Sequence, residues 1–558
     1  MPESQRPLPF YLIIGLIHGL VLMGLDLAGP PQSAFIYAAC AGVTVCAVVL
    51  QLLGPQGVQR GTLFMALGLG LLVAGLSAYD RSSMDNAAVR DTAWLAIVVL
   101  SYIATAFILA WPNRQGLRPR YSDLFRHAWS TVFIVLLALG LMGVFFWLLW
   151  LCGTLFEVVG ISQIKALLEN HALLYVVLPV VFALGMRIGL QNEKVIGLLR
   201  GMLLSLCRLL LPLSAAIAVV FTCVLPFTGV QPIWATGQAT AILLLLSAFN
   251  LFLVNGVFQD GEHGEAYPRG LRMLVNASLL CLPVLVALAA WASGLRIAQY
   301  GLTPSRIQAA LLIGVMLVHA LAAAGAVLPR HGAWLHGLRR SNPWIALLTA
   351  LLIVAYQSPL LDPLGLSARN QVARLLDGRT PVDSFDANTL YFGWGEPGRQ
   401  AFEALSKQVE AGTVLAPTER ETLRQRLDDT REMGAVSSPA QPVLEWLGAK
   451  PKHAEAFTEV VNSDYECTQG CYLWAQDMDG DGQDEVLLIP RQRYAPSVTM
   501  FAWQDGAWKR AGVYTWNYAR PAVNDFVKRI QAGELKPVTP RYKTFQVDGQ
   551  ELMLQREP

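Results

Sequence analysis

Near its C-terminus the chain reads DMDGDGQDEVLLI, residues 477–489. Asp477, Asp479 and Asp481 occupy alternate positions, and Glu485 follows four residues later. Gly480 and Gly482 permit the tight curl that would bring these carboxylates together. Calcium takes roughly six to eight oxygen ligands, one of them commonly a backbone carbonyl, and that role falls here to Gln483. Five acids within nine residues (Asp477, Asp479, Asp481, Asp484 and Glu485) repel one another unless a cation neutralises them. An EF-hand needs an acid at its twelfth position, where this chain has Leu488. The expected cofactor is therefore a structural calcium ion. A solvated acidic β-turn is the alternative, since Asp and Gly favour turns on their own.

Two other groups could do chemistry. In CTQGC, Cys467 and Cys471 suit a disulfide if the compartment is oxidising. Free thiols or a metal pair are the alternatives, but His453 is the only histidine in residues 362–558. Within apolar stretches, His18, Asp26 and His319 are candidates for a proton or substrate path. Histidines hydrogen-bonded between helices explain His18 and His319 without function. There is no P-loop, no G-x-S-x-G and no H-E-x-x-H, and no residue is assigned a catalytic role.

The elements that must position these groups follow from an uneven composition. The chain has 558 residues, 54% hydrophobic and 15% charged. Residues 1–361 hold 12 acids and 20 Lys/Arg; residues 362–558 hold 28 acids and 22 Lys/Arg. Neither part has the dense basic runs of a nucleic-acid surface. A helix needs about 20 apolar residues to cross a bilayer, and lipid leaves the backbone no partner but itself. Such runs predict about eleven transmembrane helices, near 10–28, 34–53, 62–79, 92–111, 129–151, 172–190, 205–226, 238–258, 273–293, 308–328 and 344–361. With the N-terminus inside, thirteen loop Lys/Arg fall on the cytoplasmic side and five outside. An odd number of spans then puts the C-terminal part outside, in the periplasm of a two-membrane bacterium.

The expected fold is an all-α polytopic membrane bundle followed by a small α+β soluble domain. The expected divisions are a transmembrane domain over 1–361, a juxtamembrane linker over 362–395 and a periplasmic domain over 396–558. In the last, helices occupy 398–450, the third of them around QPVLEWLGA, and 471–520 is β-rich. Asp383 to Leu390 reads as extended. Asp505-Gly506 and Asp548-Gly549 mark hairpin turns.

Two stretches are familiar: LFEVVGISQIKALL (155–168) after an aromatic-rich span, and RNQVARLLDGRTPVDSFDANTLYFGWGEPGRQAFEAL (369–405) after the last one. With the multi-span layout they resemble the bacterial membrane family catalogued as domain of unknown function 4153, over residues 5–405. That resemblance implies a polytopic envelope protein and carries no catalytic residues. The acidic loop lies beyond it and resembles the calcium loops of integrin-type β-propeller repeats, in a single copy.

Three functions fit. One is a non-enzymatic inner-membrane scaffold or sensor with a periplasmic protein or cell-wall partner. Another is a transporter or channel capped by the outer domain. The third is an enzyme acting on lipid or glycan precursors, for which Asp80, Arg81, Asp85, Arg90 and Asp91 are the nearest outer cluster. The bilayer is a partner in all of them.

Overall fold

The protein is represented by a computed structural model. It describes residues 7–535 except 29–32, 84–86, 115–118, 160, 162, 164, 166, 167, 169, 262–266, 329–333, 437–443, 462–469, 492–496, 505 and 516–522, together with 545–547 and 550–552. Two compact units divide it, 1–423 and 424–558.

The first unit is helical. Its long helices are α1 (Leu8–Ala28), α2 (Ala34–Gly57), α3 (Arg60–Ser83), α4 (Ala87–Ala110), α5 (Tyr121–Val158), α6 (His171–Gln191), α7 (Glu193–Thr228), α8 (Ala239–Phe258), α9 (Arg269–Tyr300), α10 (Pro304–Val327) and α11 (Leu338–Tyr356). Each contains or overlaps one of the predicted spans. Among the described residues, α1 to α10 carry stretches long and apolar enough to cross a membrane. α11 does not join them, because the helix begins at Leu338 and takes in Arg339 and Arg340. It stops at Tyr356, short of the predicted 361. Pro359 disfavours helical backbone in the residue before it, and the Gln357 side chain donates to Ala93 O at 2.6 Å.

Two apolar cores form within this unit, one between α2 and the start of α7, the other from α7 to α11. Lipid gives packed helices no hydrophobic advantage over separated ones, so close approach and polar contacts matter more. A Cβ on Gly42 would sit 2.5 Å from Gly70 O, so α2 and α3 touch backbone to backbone. Gly70 is thus the residue of the glycine-rich 67–72 stretch that packs helices; Gly68 faces open space. Polar side chains bridge the rest: Asn342 donates to Asn255 Oδ1 at 2.6 Å and to Tyr121 Oη at 3.0 Å, and Trp334 Nε1 donates to Asn276 Oδ1 at 2.9 Å.

The stretch expected as a linker is folded. After it leaves α11 the chain forms α12 (Pro363–Leu376), capped by Asp362, whose side chain accepts from Gly365 N. Residues 383–390 are not extended: a 3₁₀ turn covers Val382–Ser384 and a π-turn covers Thr389–Gly393. The helix α13 (Gly395–Glu410) then packs on α12, burying Phe402, Leu405 and Val409, the face expected from their spacing. The next helix, α14 (Pro417–Val436), crosses the division between the units.

The second unit is built on a sheet. Its strands are β1 (Leu444–Trp446), β2 (Cys471–Gln476), β3 (Glu485–Pro490), β4 (Ser497–Gln504) and β5 (Ala507–Thr515), in that spatial order. β1 runs parallel to β2, and the others are antiparallel. Residues 444–446 were expected as helix. They form a strand because Leu444 to Trp446 pair with Cys471 to Leu473, a partnership local spacing cannot reveal.

Every residue of β3 is buried. Val486 and Leu488 join one core with Phe457 of α15 (Ala454–Val461). Leu487 and Ile489 join the other with Val527 and Ile530 of α16 (Val523–Gln531). A central strand covered on both faces reads as an unbroken apolar run, as VLLI does. Gln504 pairs with Ala507, leaving the two-residue turn expected at Asp505-Gly506; Gly506 has φ +80°, and Asp505 lies outside the described residues. A separate pair, β6 (Phe545–Val547) and β7 (Gln550–Leu552), flanks 548–549, also outside them.

Candidate functional site

The acidic loop joins β2 to the central strand β3. Gly480 and Gly482 both have positive φ, +83° and +82°, a conformation other residues adopt only at a cost. Carboxylate oxygens of Asp477, Asp479 and Glu485 lie within 4.8 Å of one another. Oxygens bound to one calcium ion at about 2.3–2.6 Å can be no farther apart than about 5 Å, so the three fit a single ion. Asp481 turns elsewhere: its carboxylate accepts from Gln483 N at 2.7 Å. Asp477 accepts from Gly480 N at 2.7 Å and Gly482 N at 3.1 Å, and Asp479 accepts from Asp481 N at 3.0 Å.

Glu485 differs from the aspartates because it is buried. Its carboxylate accepts from Met478 N at 2.7 Å. Burial raises its pKa above the usual carboxylate range, and the charges of Asp479 and Asp481 raise it further, against the Met478 hydrogen bond. A cation would relieve both causes. Cys471 is fully buried at the start of β2; Cys467 lies outside the described residues.

The intramembrane candidates do not converge. His18 is buried on α1, its Nε2 3.1 Å from Thr44 Oγ1 on α2. Asp26 is half-buried beside Tyr175 of α6. His319 is half-buried on α10 and directs Nδ1 to Val315 O of its own helix at 3.3 Å. α1 packs on α2 and α6, whereas α10 packs on α8, α9 and α11. Side chains of the outer cluster Asp80 to Asp91 lie outside the described residues. Glu157 and Lys165, in the first familiar stretch, form an exposed ion pair at 2.7 Å.

Sequence reading missed a cavity of about 880 Å³ in the first unit. It opens where α4, α8 and α10 begin and α9 and α11 end, and Arg296, Gln299, Arg306, Gln308, Thr389 and Trp394 are in its wall. The familiar stretch 369–405 builds part of it. Asn370 Oδ1 accepts from Leu302 N at 2.8 Å, Gln371 Nε2 donates to Tyr300 O and Leu302 O at 2.9 Å each, and Arg374 donates to Ala298 O and Gln299 O. These three side chains clamp the α9–α10 turn that carries the wall. The signal available earlier was the polarity of RNQVAR directly after the last span.

Ten candidate membrane helices followed by a small sheet domain define a polytopic membrane protein. The chain belongs to the family described as Domain of unknown function (DUF4153), whose model matches residues 35–392. That match ends before the sheet and its acidic loop. Neither the curated proteins nor the solved structures compared with the chain give a match.

Proposed function

We propose that the chain is a non-enzymatic scaffold or sensor of a bacterial inner membrane. In this reading the N-terminus is cytoplasmic, and the sheet domain stands in the periplasm and engages a protein or cell-wall partner. The loop charges support a cytoplasmic N-terminus, and the periplasmic sheet domain follows from taking α11 as an eleventh crossing beside the ten apolar helices. The observation that carries the partner role is β5, an edge of the described sheet with Val513 and Tyr514 exposed at 42% and 48%. An edge strand offers backbone groups that another chain can pair with. Calcium at Asp477, Asp479 and Glu485 would then fix the entry to β3 and so the sheet that presents this edge, and a Cys467–Cys471 disulfide would pin the start of β2.

A photo-crosslinking residue at Val513 tests the reading in living cells. One discrete adduct is expected there and none from the same residue at Leu198, an exposed position on α7. No adduct at Val513 removes the partner role. Alkaline phosphatase fused to the C-terminus should be active, and an inactive fusion overturns the orientation.

A transporter or channel with the sheet domain as its cap is the second reading. It draws on the cavity between the helix ends.

A further inference from the structure

We propose that the cavity lined by Arg296 and Arg306 binds a phosphoryl anion, either a phospholipid headgroup or a free phosphate. The inference depends on neither the scaffold reading nor the orientation of the chain. Arg306 donates through Nη1 to Gly301 O at 2.7 Å and Tyr300 O at 3.1 Å. Its guanidinium lies over the Tyr300 ring, 5.5 Å from the centroid. Arg296 donates through Nη2 to Gly237 O. Both are thus held by neutral carbonyls, and no described acid forms an ion pair with either.

Arg374 stands behind the wall, bonded to Ala298 O and Gln299 O, and is close enough to repel Arg306, as is Arg296. The described wall contains no Asp or Glu. Of the carboxylates close in sequence to wall residues, Glu396 accepts from Gln400 at 2.9 Å and Arg399 at 3.4 Å, and Asp386 accepts from the Thr389 hydroxyl at 2.6 Å and amide at 2.9 Å; the side chain of Asp91, next to Thr92, lies outside the described residues. Like charges gathered with no counter-ion among the described residues cost free energy that a bound anion recovers.

The geometry favours phosphate over a generic anion. Each guanidinium uses one terminal nitrogen on carbonyls and keeps others for a ligand, and guanidinium donors match phosphate oxygens in pairs. α10 starts in the same wall at Thr303, Pro304 and Ser305, adding the partial positive charge of a helix N-terminus. Trp234, Leu295 and Trp394 supply apolar wall beside the charge, which suits a headgroup joined to a lipid.

The test uses the full chain in an uncharged detergent. Melting temperature is followed with inorganic phosphate, with phosphatidylglycerol, and with sodium chloride at matched ionic strength. A rise with phosphatidylglycerol alone supports a lipid source, and a rise with inorganic phosphate supports a soluble one. Arg296→Gln should weaken the effective probe about tenfold or more, about 1.4 kcal/mol for each factor of ten. Gln308→Glu places a negative charge in the wall, takes part in no described hydrogen bond, and should weaken binding without lowering the ligand-free melting temperature. No rise with either probe beyond that of sodium chloride overturns the proposal, as does unchanged binding in both variants.

Discussion

In the helical unit, Arg296, Arg306 and Arg374 donate to backbone carbonyls; in the sheet unit, Asp477, Asp479 and Asp481 accept from backbone amides. The two clusters mirror each other, cations on carbonyls and anions on N–H groups. Peptide dipoles orient a charged side chain and satisfy part of its hydrogen-bonding capacity, but they do not cancel its charge. Each cluster is therefore arranged by its own backbone. The difference lies in what surrounds them. Arg296 and Arg306 line a cavity large enough for a molecule, whereas carboxylate oxygens of Asp477 and Asp479, with Glu485, come within 4.8 Å of one another, a space the size of an ion. Pre-arranged charge of either sign is the common theme, and the size of the space decides what can fill it.

Substitutions can break that parallel by showing whether each unit holds its cluster independently. The largest effect is expected from Phe457→Ala. Phe457 is fully buried and packs edge-on against Phe501 and Trp508, so its loss should cost about 3–5 kcal/mol. Hydrogen exchange of β3 amides should accelerate while that of α9 and α10 stays unchanged; equal acceleration in both would mean that the units are one cooperative body.

Gly301→Ala is the counterpart in the helical unit. Gly301 has φ +76°, and an added Cβ would lie 2.6 Å from Arg374 Cδ and from Gln371 Nε2. A loss of about 2–4 kcal/mol is expected from overpacking and backbone strain together. It should show in thermal unfolding of the bundle with the β3 amides undisturbed. A variant as stable as the parent would mean that the Asn370–Gln371–Arg374 clamp does not hold the cavity wall.

The smallest effect sharpens the comparison through pH. Glu485 has a raised folded-state pKa, so the folded state binds its proton more tightly than the unfolded state does. Its contribution to stability is present below the unfolded value of about 4.3 and is lost as pH rises through the folded value. Without calcium, protection factors of β3 amides should therefore increase as pH falls from neutral. With saturating calcium the slope should reverse, because protons and the ion compete for the same oxygens. Glu485→Gln should flatten the calcium-free slope, and an unchanged slope in that variant would assign it to another group.

Much of the fold was legible, for reasons particular to each element. A membrane helix needs a long apolar run, which stands out in a sequence; one helix overlaps each of the eleven predicted spans, and ten of them are apolar enough to cross. Asp505-Gly506 marked its hairpin because few residue pairs suit so tight a turn. β1 was not legible: the triplet Leu444-Glu445-Trp446 spells helix and strand equally, and its partner Cys471–Leu473 lies well downstream. The acidic loop was legible as a group, but the spacing that recruits Asp477 and Asp479 does not show Asp481 turning to Gln483. The cavity was invisible for a similar reason. Arg296 and Arg306 counted only as loop charges, and their meeting depends on a clamp from residues 370–374.

That clamp also sets an order of assembly. Arg374 reaches back 76 residues to Ala298, so the α9–α10 turn cannot be locked until the chain beyond α11 has been made. At ribosomal rates of about 5–20 residues per second, the turn waits about 4–15 s after its own synthesis. During that interval the bonds from Asn370, Gln371 and Arg374 to the junction are missing. Locking the turn thus follows the synthesis of α11 and of most of α12.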